Sequence, residues 1–115
     1  MAQYQHIPVF QAAYKMNIEI CRWVDNFPRL HRYSTGNNLK NFAFDLMSLI
    51  AKANSSTDKK IVIEAAEETL EKIRLSVRLC YDLKIMGGNG FENLSRFADD
   101  IGRQLSGWKN YKKKN

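Results

Sequence analysis

The sequence predicts an all-α protein, an antiparallel up-down-up-down four-helix bundle. Two observations predict it: four stretches carry apolar residues at three-four spacing, and the links between them are short and polar or glycine-rich. At 115 residues the chain has room for one core. Residues 1–115 are therefore read as a single domain that ends in a short basic tail over 109–115.

The first helix spans Ile7 to Phe27 and carries two apolar sets. One holds Phe10, Tyr14, Ile18, Cys21 and Val24; the other holds Val9, Ala13, Met16, Ile20, Trp23 and Phe27. A bundle helix needs one apolar face of about 100°, so the surplus predicts packing against a second subunit. Phe27-Pro28 ends the helix, because the residue before proline is pushed out of helical geometry. Ser34, three residues ahead of Asn37, reads as a weak capping box opening the second helix. Its stripe is Leu39, Phe42, Ala43, Leu46, Leu49, Ile50 and Ala53, while Phe44 and Met47 lie off it as further candidates for an interface.

The cap-rich segment Asn54 to Asp58 starts the third helix, expected to run to Ile85 over roughly 40 Å. Ile63, Ala66, Leu70, Ile73, Val77 and Cys80 form its core stripe. Gly87-Gly88-Asn89-Gly90 reads as a turn supplying positive φ angles, and Asn89 with Glu92 opens the last helix. There the stripe is Phe91, Leu94, Phe97, Ala98, Ile101, Leu105 and Trp108. Gly36 belongs to a helix start, and Gly102 and Gly107 to places where helices approach closely.

No stretch approaches the ~20 apolar residues of a membrane span. Met1 to His6 lacks the pattern of a secretory signal, so the expected location is the cytoplasm, with no membrane partner. Cys21 and Cys80 lie on apolar stripes without metal or redox spacing and are expected as buried, reduced thiols. Catalysis would need a convergent nucleophile, base and orienting group, and His6 and His31 are the only histidines. No H-E-x-x-H or Glu-x-x-His pattern occurs, and the glycine-rich segment lacks the Lys-Ser/Thr of a phosphate loop. The sequence therefore reads as non-enzymatic, without catalytic residues, metal or cofactor.

Eighteen Lys and Arg against twelve Asp and Glu give a net charge of +6, which biases the chain toward polyanions or acidic proteins. Arg74 and Arg78, one turn apart, are the leading binding candidates; Lys84, Arg22, Arg29 and Arg32 follow. In an antiparallel bundle the ends of the first and third helices share a pole, so these residues can compose one basic surface. Pairing of Arg74 with Glu71 and of Arg78 with Asp82 would neutralise part of it.

Phe27-Pro28-Arg29-Leu30-His31-Arg32-Tyr33-Ser34-Thr35-Gly36-Asn37-Asn38-Leu39 resembles the first interhelical turn of the accessory variability determinant (Avd) proteins of diversity-generating retroelements. Arg78-Leu79-Cys80-Tyr81-Asp82-Leu83 and Asp100-Ile101-Gly102-Arg103-Gln104-Leu105-Ser106-Gly107-Trp108 are similar to that family's third-helix end and last helix. Asn37 and the four-residue glycine-rich segment depart from its usual pattern. The resemblance implies a homopentamer with a basic surface that binds the retroelement reverse transcriptase and template RNA, or DNA or an RNA/DNA hybrid, in support of mutagenic retrohoming. The alternative is a structural four-helix oligomer, similar to ribosomal-RNA intervening-sequence proteins, without a specific nucleic-acid role.

Overall fold

The computed structural model describes residues 4–111. A 3₁₀ turn over Tyr4–His6 leads into α1 (Pro8–Asp25). A four-residue helix α2 (Arg29–Arg32) sits in the first connection, followed by α3 (Thr35–Ser55), α4 (Lys59–Asp82) and α5 (Gly88–Lys109). The four long helices pack as a helical bundle 53 Å long and 23 by 21 Å across. α1 and α4 each pack mainly against α3 and α5.

Pro8 occupies the first turn of α1, where its missing N–H would have no intrahelical partner anyway. The core then follows the expected stripes. Val9, Ala13, Met16, Ile20, Val24 and Phe27 are buried, and Trp23 is only partly so. On α3 the buried residues are Leu39, Ala43, Leu46, Ile50 and Ala53, flanked by half-buried Phe42 and Leu49. All six residues expected on the α4 stripe are buried, and Leu94, Ala98, Ile101 and Leu105 complete the core from α5. Among the described residues no polar or charged side chain is buried. The core is held by apolar burial at about 25 cal/mol per Å², without internal ion pairs.

Local expectations need several corrections. α4 stops at Asp82, short of Ile85, because Leu83 and Lys84 curl the chain back. The Lys84 N–H donates to Tyr81 O and the Ile85 N–H to Cys80 O, and Lys84 carries the left-handed φ of 63° that this closure requires. No described glycine has positive φ, and Gly88, Asn89 and Gly90 are already helical in α5. The glycine-rich segment is thus a helix start, and its turn lies just before it. Ser34 makes no capping bond either; its hydroxyl donates back to Leu30 O at 3.2 Å. Cys21 is half-buried where full burial was expected. Cys80 is buried, and burial pushes its thiol up to about 11, so it stays protonated at neutral pH.

Two glycines set helix positions through close approach. A Cβ on Gly36 would lie 2.6 Å from Val24 Cγ1 and 3.1 Å from His31 O, and one on Gly90 would lie 2.6 Å from the Trp23 ring. Gly107, expected at a close approach, has nothing within 4 Å of that position. Gly36→Ala and Gly90→Ala should each cost about 1–3 kcal/mol through overpacking, whereas Gly107→Ala should gain up to about 1 kcal/mol from helix propensity. Urea unfolding of the three variants checks this; equal midpoints for all would refute the close-approach account.

Candidate nucleic-acid interface

The last turns of α1, the short α2 and the α4–α5 link meet at one end of the molecule. Trp23 lies against Gly90, and a Cβ there would also meet Met86 of the link at 2.9 Å. Val24 and Phe27 lie against Gly36 at the start of α3. The indole is oriented by its Nε1–H, which donates to Glu19 Oε1 at 3.2 Å. α1 ends at Asp25, ahead of the Phe27-Pro28 step expected to end it, and Pro28 opens the one-turn α2, so Arg29, Leu30, Arg32 and Tyr33 are carried at this pole.

The six basic candidates separate by their partners. Arg74, the leading one, is engaged inside the molecule. Its Nη1 meets Asp99 Oδ1 at 2.7 Å, its Nε meets Glu71 Oε1 at 3.2 Å, and its Nη2 donates to Ala98 O at 3.1 Å. Nη1 and Nη2 clasp α4 to α5, while Nε is held within α4 by Glu71. Arg78 pairs with Asp82 at 3.0 Å across one exposed helical turn. Arg32 donates from Nη2 to Phe27 O at 3.2 Å and fastens the first connection; its Nε is buried with no partner among the described residues.

Arg22, Arg29 and Lys84 are exposed and make no ion pair among the described residues. These three, from α1, α2 and the α4–α5 link, carry uncompensated charge at the pole. Leu30 and Tyr33 stand beside Arg29 with 81% and 72% of their surface exposed. Sequence reasoning passed over both, although two large apolar side chains in an otherwise polar, basic turn are a readable signal of a contact surface.

At the far end of α5, Lys109 Nζ meets Glu67 Oε1 at 2.8 Å, a second tie between α4 and α5. The Glu67 hydrogen bond holds the Lys109 ammonium above its ordinary range. Lys109 therefore belongs to α5, where the short basic tail was expected to begin; residues 112–115 of that tail lie outside the described residues. Among the described residues no three His, Cys, Asp or Glu side chains converge as a metal ion would require. No described helix is long and apolar enough to cross a membrane.

Compared with known proteins, the chain matches a family described as bAvd-like over residues 9–112. No curated protein matches it.

The contrast between the two leading arginines is measurable. Arg74→Ala should lower stability by about 1–2 kcal/mol, since it removes a charge-assisted bond to a backbone carbonyl and two ionic contacts. Arg78→Ala, at an exposed pair, should stay within about 0.5 kcal/mol. Chemical unfolding of both variants decides it, and equal losses would show that Arg74 is no clasp.

Proposed function

The chain belongs to the bAvd-like family, and from that premise we propose that it is a non-enzymatic accessory protein of a diversity-generating retroelement. In this reading it assembles as a homopentamer and binds the reverse transcriptase and template RNA to support mutagenic retrohoming. The observation that carries the binding part is the pole where Arg22, Arg29 and Lys84 stand exposed without ion-pair partners among the described residues. Helix contacts support an up-down-up-down order for the bundle. Asp25 pairs with Lys40, Lys59 donates to Ala53 O, and Glu67 pairs with Lys109 while Arg74 pairs with Asp99. In that order the ends of α1 and α4 share a pole, which gathers the three cations.

Unpaired cations on a rigid scaffold attract RNA phosphates by releasing condensed counterions, with no base recognition required. Arg29 suits bidentate contact with a phosphate, and Lys84 acts as a point charge. Arg74 fits this role least, because phosphate would compete with Asp99 and Glu71 for a guanidinium already placed. Leu30 and Tyr33 add apolar surface to the same pole and suit the protein partner, here the reverse transcriptase.

RNA binding by the oligomer should fall steeply with salt, by about 10³ to 10⁵ between 50 and 200 mM if six to ten phosphates are engaged. Each cation removed from a phosphate by substitution should lower the slope of log affinity against log salt by about 0.9. Lys84→Gly is the cleanest single change, since glycine suits the left-handed position and the variant should be as stable as the parent or more so. Combined with Arg22→Ala and Arg29→Ala it should weaken RNA binding and flatten the slope, while Leu30→Ala with Tyr33→Ala should weaken capture of the reverse transcriptase. Fluorescence anisotropy and co-purification separate the two. RNA binding that ignores both salt and the triple variant would leave the structural oligomer as the better reading.

A further inference from the structure

Two apolar surfaces remain uncovered on the bundle. The first is a groove of about 360 Å³ between α1 and α3, lined chiefly by Tyr14, Ile18, Cys21, Phe44 and Met47, with Arg22 and Asp25 toward the pole. Ile18 is 41% exposed and Phe44 59%. The second is the outward ridge of α4, where Leu75 and Leu79 stand at four-residue spacing, 69% and 49% exposed, with Ile61 nearer its start and Leu83 just past its end. Of the basic pole only Arg22 lines the groove; Arg29 and Lys84 do not.

We propose that these two surfaces meet: the α1–α3 groove of one copy receives the α4 ridge of the next, in a head-to-tail contact. This rests on the oligomeric reading above and on the up-down-up-down order. Under that order α1 and α4 run in the same direction, and rotation about an axis parallel to the bundle preserves both direction and height. Ile18 stands seven residues before the end of α1 at Asp25, and Leu75 stands seven before the end of α4 at Asp82. The two side chains therefore lie at the same level, roughly 10 Å below the shared pole at 1.5 Å per residue. Cys21, four residues before Asp25, is likewise level with Arg78, next to Leu79.

One charge pair suits the contact, and Arg78, nearly level with Arg22 of the groove, is already paired with Asp82. Lys15 beside the groove and Glu68 on the α4 ridge lie about one turn apart in height, and neither has an ion-pair partner among the described residues. Lys72, at the level of Lys15, has its Nζ 5.8 Å from the centroid of the Phe42 ring on its own α3. A two-fold contact of groove on groove would cover the first surface and leave Leu75 and Leu79 in water. A single head-to-tail contact covers both, and such contacts close into rings when the rotation permits.

Light scattering on the full chain and on Ile18→Asp and Leu79→Asp tests this, with circular dichroism to confirm that each variant is folded. Both substitutions fall on exposed positions; Phe44→Asp and Leu75→Asp serve as the second pair should either fail to fold. The parent should be oligomeric. Each variant alone should run as a monomer near the 13.4 kDa chain mass, because each retains only one kind of surface. Mixed in equal amounts they should form a heterodimer of twice that mass, through the intact ridge of the first and the intact groove of the second. A monomeric parent would overturn the oligomeric reading together with this contact. An oligomeric parent whose Leu79→Asp variant keeps its mass, or whose two variants do not combine, would overturn the head-to-tail contact alone.

Discussion

The last turns of α1 are the reference against which the neighbouring helices are placed, and the constraint there is steric. Val24 and Phe27 lie so close to Gly36 that only a hydrogen fits between α1 and the start of α3, and the Trp23 indole does the same to Gly90 at the start of α5. Glu19 fixes the indole through its N–H. With the starts of both helices pressed onto one end of α1, the links that precede them are brought to that end as well. Arg29 in the first and Lys84 in the second then stand near Arg22 without any contact among the three being needed. The basic pole is thus a by-product of how the helix starts are seated.

Away from the pole the arginines are spent locally, whereas Lys15, Lys52, Lys60 and Lys72 make no ion pair among the described residues. Arg74 and Lys109 tie α4 to α5 near its middle and its far end, each through a carboxylate on the opposite helix. Arg78, Arg96 and Arg103 pair within a single helix. An exposed ion pair is worth little in stability, but it cancels the long-range field of both members.

Much of the fold was legible because the core is built from one periodicity. The α4 stripe was readable residue by residue, since Ile63 through Cys80 face only the bundle interior and nothing else competes for those positions. The pairing of Arg78 with Asp82 was readable too, being four residues apart on one helix. Arg74 was legible only in part. Its tie to Glu71 is local, but Asp99 is 25 residues away, and the choice of which acidic side chain on α5 it meets depends on the rotation and height of two helices. The glycine-rich segment misled for a related reason. Glycine is read as conformational freedom, and here its use is space: Gly90 sits under an indole, while the left-handed backbone falls on Lys84. Composition shows that a small residue is present without showing which of its two properties the fold employs.

The surplus apolar residues of α1 follow a different logic from the core. Its buried set is continuous from Val9 to Phe27, so nothing inside the bundle requires Tyr14, Ile18 or Cys21 to be apolar. The same holds for Leu75 and Leu79 on α4, whose buried stripe is complete without them. A lone exposed leucine needs no explanation, because folded proteins keep more than half their surface apolar. Two ordered rows on different helices, matched in height when counted from a common end, are harder to assign to chance. Each alone is an aggregation hazard in a free chain, and a contact that buries both in one step removes the hazard while leaving Arg29 and Lys84 of the basic pole outside it.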